Sequence, residues 1–214
     1  MSAAQRFLRV RRAALARIAE IESNARFAVV IHYSCESFHD RPQGKSARIT
    51  SIAVRYLESG QTESFSIHKV GERAGVEPGA LASRYDMLER DMLDEFASFA
   101  KAHAQFYWLH WNMRDHNYGF AAIEHRHRVL GGRPVHVPDE RKVDIARLMV
   151  DIYGLEYAPH PRFESLGKMN DITTRDMLPG REEASAFDAC EYVKLHMSTL
   201  RKVDTIANII GRVA

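Results

Sequence analysis

A short apolar run at residues 27–31 lies between a long amphipathic segment and a β-hairpin pattern. A run of this length without polar alternation is typical of a strand that is buried on both faces of a sheet. Residues 2–23, which precede it, carry apolar side chains near helical spacing and predict an amphipathic helix. Because a strand buried on both faces needs cover on both sides, the run predicts a sheet flanked by helices.

The remaining elements continue this pattern of strands and helices. Alternating apolar residues around a turn at residues 58–61 predict a hairpin whose second strand includes Phe65 and Ile67, and a loop follows at residues 71–79. Further strands are predicted at residues 106–109 and 134–137, and helices at residues 88–99, from about Asn117, after a cap at Asp139, around residues 163–169, and once or twice within residues 181–210. This order favours an α/β fold with a mixed central sheet.

Composition limits the class of protein. With 214 residues, 45% of them hydrophobic and 27% charged, the chain can bury one core, so we expect a helix at residues 1–24 followed by one α/β domain at residues 25–214. The net charge of +2 is too small to indicate nucleic acid by itself. Two distant cysteines favour free thiols in a reducing compartment. Without a long apolar run or a signal-peptide pattern, we expect a cytoplasmic protein with no membrane association.

Two later blocks of sequence carry a family resemblance. His110, Asn112 and Asp115 follow a predicted strand and resemble the second motif of the DEDDh-type 3′-to-5′ exonucleases, in which a His-Asn pair precedes an aspartate at the start of a helix. Glu183 and Asp188 are similar to the third motif, in which a histidine is followed five residues later by an aspartate and then alanine. Glu183 stands in the histidine position. The resemblance implies a ribonuclease H-like exonuclease fold, here with an added N-terminal helix.

The first motif of this family is Asp-x-Glu at the end of the first strand, and its acidic positions correspond to His32 and Ser34. The family hydrolyses phosphodiesters with two metal ions about 3.5–4 Å apart that are held by carboxylates. The resemblance thus implies a Mg²⁺ or Mn²⁺ cofactor and an altered metal site. Its candidate catalytic residues are His32, Glu36, Asp115, Glu183 and Asp188, and its candidate metal ligands are His32, Glu36, Asp115 and Asp188.

Each of these residues also has a purely structural interpretation. Asp115 could cap a helix, and Asp188 could lie on the polar face of one. His32 could be a hydrogen-bonded core histidine, and Glu36 a solvated loop residue. A chain that has lost two of the family's four acids could therefore be an inactive exonuclease-like module that needs no metal ion.

An exonuclease would act on DNA or RNA, whereas an inactive module could bind either nucleic acid or a partner protein. The candidate contacts are His110, Trp111, Asn112, Arg114 and Arg126, with Trp111 available as a stacking platform for a base. Other basic residues could contact phosphates or form solvated helix faces: the arginines of residues 6–17, Arg128, Arg133, Lys194, Arg201 and Lys202. The apolar stripes of the first and last helices also predict a homo-oligomer or a partner protein.

Overall fold

The computed structural model describes residues 2–37 and 46–213. The polar, Pro- and Gly-containing stretch at residues 39–46 predicts a loop, and most of it lies outside the described residues. Five strands and eight helices make up the regular structure of this part of the chain. In order they are α1 Ala3–Ser23, β1 Ala28–Cys35, β2 Ile49–Tyr56, β3 Thr62–Ser66, α2 Ile67–Arg73, α3 Tyr85–Ala102, β4 Tyr107–His110, α4 Phe120–Val129, β5 Lys142–Asp144, α5 Ile145–Tyr153, α6 Arg162–Met169, α7 Gly180–Asp188 and α8 Tyr192–Ile210.

The strands form one mixed sheet in the order β3-β2-β1-β4-β5. β2 pairs antiparallel with both β1 and β3, whereas β4 lies parallel to β1 and β5 lies parallel to β4. Every residue of β1 is buried, as expected for the apolar run at the centre of the sheet. The prediction of an α/β fold with a mixed sheet flanked by helices is confirmed.

The two faces of β1 belong to different parts of the core. Val29, Ile31 and Tyr33 pack in one cluster with α3, while Ala28 and Val30 pack in a second cluster with α1 and α5. This division follows from the strand geometry, because successive side chains point to opposite faces of a sheet. His32 and Ser34 share the face of Ala28 and Val30.

The terminal helices contribute directly to this core. α1 buries Ala14, Ile18 and Ile21 in the second cluster and packs mainly on α5. α8 packs on β1 and β2, and it buries the apolar stripe that includes Val203 and Ile206. The stripe of α8, predicted as a pairing surface, is therefore used inside the protein. In the described part of the chain, no helix is both long enough and apolar enough to cross a bilayer.

Three local predictions were wrong. Ile67 is the first residue of α2 and does not extend the hairpin, because the strand pattern and the first helical turn share the same apolar residue. Residues 134–137 are irregular and the edge strand is β5, since Pro134 and Pro138 cannot donate to a ladder. Asp139 caps no long helix; Asp144 caps α5, and its side chain accepts a hydrogen bond from the Arg147 N–H.

Candidate functional site

His32 and Ser34, at the positions to which the resemblance assigns acidic residues, lie beside a buried ion pair. The Ser34 hydroxyl is 2.8 Å from Glu183 Oε1, and the same oxygen accepts hydrogen bonds from the Ser198 hydroxyl at 2.9 Å and from Lys202 Nζ at 2.7 Å. The side chains of Lys202 and Glu183 are only 8% and 12% exposed. We call this contact the Lys202–Glu183 pair.

Further hydroxyl groups extend from the Lys202–Glu183 pair across the sheet. Thr199 Oγ1 lies 2.8 Å from Ser34 Oγ and 2.7 Å from Ser51 Oγ, and the Thr199 hydroxyl donates to the Leu195 carbonyl. All of these oxygen atoms have hydrogen-bond partners within the protein. The arrangement satisfies buried polar groups, as a folded core requires.

His32 is held as a neutral imidazole. Burial lowers its pKa well below 6.5, and the positive charge of Lys202 lowers it further. The Tyr118 hydroxyl lies 3.3 Å from both ring nitrogens and also donates to the Tyr33 carbonyl at 3.1 Å. His32 is therefore a core histidine beside a fixed cation.

Asp115 stabilises the loop that leads from β4 into α4. Its Oδ1 accepts hydrogen bonds from the backbone N–H groups of Asn117 at 2.7 Å and Tyr118 at 2.8 Å. The residue before α4 is Gly119, so Asp115 does not cap the helix itself. This carboxylate is exposed and organises a turn.

Asp188 and Glu36 lie apart from the Lys202–Glu183 pair. Asp188 is the exposed last residue of α7, and five residues of helix turn its side chain about 140° away from that of Glu183. The Glu36 carboxylate accepts from the Arg48 N–H at 3.1 Å. Glu36 also lies close enough to Tyr85 to affect its pKa. Burial raises the pKa of Tyr85 well above 10, and the nearby Glu89, Tyr192 and Glu36 raise it further. Tyr85 packs in the first core cluster.

The candidate metal ligands do not fit a Mg²⁺ or Mn²⁺ ion. Hard divalent cations need several converging oxygen ligands. Asp115 and Glu36 accept hydrogen bonds from different loops, Asp188 is exposed at the end of α7, and Glu183 holds an ammonium group. Within residues 2–37 and 46–213, no three His, Cys, Asp or Glu residues are grouped so that they could hold a metal ion.

His110 and Arg126, predicted nucleic-acid contacts, are both structural in this fold. Burial lowers the pKa of His110 to about 4, and its Nδ1 accepts from the Met113 N–H at 3.2 Å. Arg126 is 7% exposed, and its guanidinium donates to both carboxylate oxygens of Glu89, a fully buried residue. Neither side chain presents a donor to solvent.

Trp111, Asn112 and Arg114, the other three predicted contacts, lie together at a cleft of about 430 Å³. We call it the β4–α6 cleft, because it is formed by the segment after β4, by α5 and by the start of α6. Its described lining is Trp111, Asn112, Arg114, Ala146, Arg147, Val150, Leu155, Tyr157, His160, Pro161, Arg162, Phe163 and Glu164. The contributions of α5 and α6 to this cleft were not predicted from the sequence.

The pairing of Lys202 with Glu183 was also not predicted from the sequence, in which Lys202 was grouped with cations that could lie on the surface. A signal was present: Lys202 follows Leu195 by seven residues and precedes Ile206 by four, so it falls on the apolar stripe of α8. Arg201, next to it, does face outward and pairs with Asp204 at 3.0 Å. A lysine on an apolar stripe requires a buried partner, which is Glu183.

Comparisons of the chain with protein-family models, with curated proteins and with solved structures give no significant match.

Proposed function

We propose that this protein is a non-catalytic, exonuclease-like module that binds nucleic acid. The order of elements supports the resemblance. β1 is central and is followed by the β2–β3 hairpin, the His110 block begins at the last residue of β4 beside β1, and Glu183 on α7 contacts Ser34 of β1. These are the relative positions that the three motifs of the DEDDh-type exonucleases imply for a ribonuclease H-like fold.

The observation that carries the loss of catalysis is the Lys202–Glu183 pair. In the family, carboxylates at the first motif hold divalent cations, whereas here Ser34 contacts a carboxylate that already binds an ammonium group at 2.7 Å. Lys202 supplies one fixed positive charge beside His32, and that charge would repel a second cation. The module therefore needs neither Mg²⁺ nor Mn²⁺.

Nucleic-acid binding is supported by the residues around the β4–α6 cleft. Asn112 and Arg114 follow the strand at the second motif, and the Arg114 side chain is 56% exposed. Exposed guanidinium groups contact phosphates, and aromatic rings stack on bases in sequence-tolerant binding.

The test separates cleavage from binding. Labelled single-stranded and duplex DNA and RNA are incubated with the protein and Mg²⁺ or Mn²⁺, and fluorescence anisotropy measures binding with and without a chelator. We expect no cleavage product, and binding that is unchanged by the chelator and weakens as salt rises. Metal-dependent cleavage that Asp115→Ala or Asp188→Ala abolishes would overturn the non-catalytic assignment. Absence of binding to every strand at low salt would overturn the nucleic-acid assignment.

A role in oligomerisation is a second proposal, and it rests on the first half of α1. Phe7 and Leu8 are 41% and 58% exposed there, outside the part of α1 that packs on α5. Light scattering of the full chain and of a chain lacking residues 2–10 tests this role. A multimer that the deletion converts to a monomer supports it, and a full-length monomer contradicts it.

A further inference from the structure

We infer that the β4–α6 cleft binds one nucleotide unit, with the base against its aromatic wall and the phosphate against its arginines. This inference rests on the proposed function, because it names the ligand of a nucleic-acid-binding module. The unit is either the nucleotide of a single strand or a free nucleoside monophosphate, since both present the same base and phosphate.

The size of the cleft suits such a unit. Its volume of about 430 Å³ lies in the range of roughly 300–1,000 Å³ that is typical of small-molecule sites. Residues from three separate segments line it, so the walls are fixed by the packing of α5 and α6 rather than by one loop.

One wall is aromatic. The rings of Trp111 and Phe163 lie 5.0 Å apart at 40°, and Tyr157 lies beside them along the lining. Trp111 is 8% exposed, so its ring is held in place and supports Phe163 as a rigid surface. Bases of any identity stack on such a surface, which predicts weak sequence preference.

The second wall is cationic toward solvent. The Arg114 and Arg147 side chains are 56% and 63% exposed, whereas Asp144 and Asp151, which hold them through Nε at 3.0 and 3.1 Å, are only 12% and 20% exposed. A guanidinium has five N–H donors, so a carboxylate contact through Nε leaves other donors for a phosphate. The more deeply buried Asp144 and Asp151 therefore hold the two exposed guanidinium groups in place.

Arg162 adds an unsatisfied donor. Its Nε is buried without a hydrogen-bond partner among the described residues, while its Nη2 donates to the Leu155 carbonyl and its guanidinium lies 5.6 Å from the centre of the Tyr157 ring. A buried charged donor without a partner is costly. Since this atom is covered, Arg162 contributes its positive charge to the cleft rather than a direct contact of Nε with a phosphate.

Substitution of Glu164 should change the affinity for a phosphate in the direction opposite to substitution of the arginines. It is the one carboxylate among the described lining residues, and its negative charge opposes a phosphate. Glu164→Gln should strengthen binding several-fold, whereas Arg147→Gln should weaken it and lower the salt slope of a single strand by about 0.7. Phe163→Leu, which keeps an apolar side chain, should weaken binding about tenfold through lost stacking.

The experiment titrates fluorescein-labelled oligo(dT) and oligo(U) into the full chain and into these variants, with Arg73→Gln as the control. Arg73 is 52% exposed on α2 and pairs with Glu95, outside the cleft. Uridine monophosphate, uridine and inorganic phosphate are then used as competitors. We expect only the monophosphate to compete well, and the control to bind like the wild type. Circular dichroism confirms that each variant is folded, and Arg147→Gln carries the test if Phe163→Leu is not.

The outcomes distinguish the two proposals. If the wild type binds oligonucleotides and all cleft variants bind equally well, the cleft assignment is overturned and the proposed function stands. If the wild type binds the monophosphate but no oligonucleotide, the cleft binds free nucleotides and the nucleic-acid assignment falls. If it binds neither ligand, both proposals fall.

Discussion

At the scale of single residues, the role of Glu183 depends on its partners in the fold. Its carboxylate contacts the Ser34 hydroxyl and binds Lys202. Charges withdrawn from water are tolerated only when paired and hydrogen-bonded. The lysine from α8 therefore compensates the buried charge of Glu183.

Removal of one partner of this pair should destabilise the fold strongly. We expect Lys202→Met to lower the free energy of unfolding by about 3–5 kcal/mol, because it leaves the Glu183 carboxylate buried without its cation. The double variant Lys202→Met/Glu183→Gln should recover most of that loss. Urea denaturation of the single and double variants measures both effects.

Lys194→Met is the matched control for this prediction. Lys194 lies on the same helix and pairs with Glu191 at 2.9 Å, but both side chains are about half exposed, at 54% and 46%. An exposed pair contributes less than about 1 kcal/mol. Equal stability of the Lys202 and Lys194 variants would show that the buried pair does not stabilise the fold.

At the scale of elements, one carboxylate joins the end of β5, the start of α5 and the segment after β4. Asp144 Oδ1 accepts from the Arg147 N–H at 3.4 Å and from the Asn112 N–H at 3.2 Å, and Oδ2 lies 3.0 Å from Arg114 Nε. The helical pattern alone suggested a start at Asp139. The pairing of β4 with β5 moves the start to Asp144, because residues 142–144 are needed as a strand.

Substitutions of Asp144 should separate its cap from its ion pair. Asp144→Ala should lower the free energy of unfolding by about 1–2 kcal/mol through loss of the cap, whereas Asp144→Asn should retain most of the stability, since asparagine also caps helices. Thermal denaturation measures these differences. Asp139→Ala is the control, because its side chain is 86% exposed and its contact with Lys142 is local. A larger loss for Asp139→Ala than for Asp144→Ala would contradict the assignment of the cap.

At the scale of the whole molecule, α1 is divided between a free half and a packed half. Residues 2–9 are exposed, whereas Ala14, Ile18 and Ile21 belong to the core that includes Ala28 and Val30. Arg11 ties the helix to α5 by donating to the Ile152 carbonyl at 3.1 Å. The second half of α1 therefore packs in the same core cluster as α5.

Two deletions should reveal this division. Loss of residues 2–10 should change the free energy of unfolding by less than about 1 kcal/mol. Loss of residues 2–22 uncovers the second core cluster, and at about 1.5–3 kcal/mol for each buried isoleucine it should lower the free energy by about 5 kcal/mol. Urea denaturation of both proteins measures the difference. Equal stability of the two would contradict a core role for α1.

Several parts of the fold could be predicted because local patterns decide them. The apolar run of β1, the β2–β3 hairpin and the periodicity of α1, α3 and α6 each follow from side-chain spacing within one segment. The candidate site was less predictable. Four carboxylates were assigned to one site because of their spacing or their position beside the family's motifs: Glu36, Asp115, Glu183 and Asp188. The directions of their side chains depend on turns and helix faces, which spacing along the chain does not give.

The sequence by itself determined the alternation of strands and helices and the central position of β1, because these depend on short-range patterns. Only the tertiary structure decided that Lys202 meets Glu183 under Ser34, and that Arg147 and Arg162 join Arg114 around one cleft. Those contacts join residues that are distant in the chain. Their geometry depends on how α5, α6, α7 and α8 pack around the sheet. The charges at the Lys202–Glu183 pair and at the β4–α6 cleft therefore come together only when the core is folded.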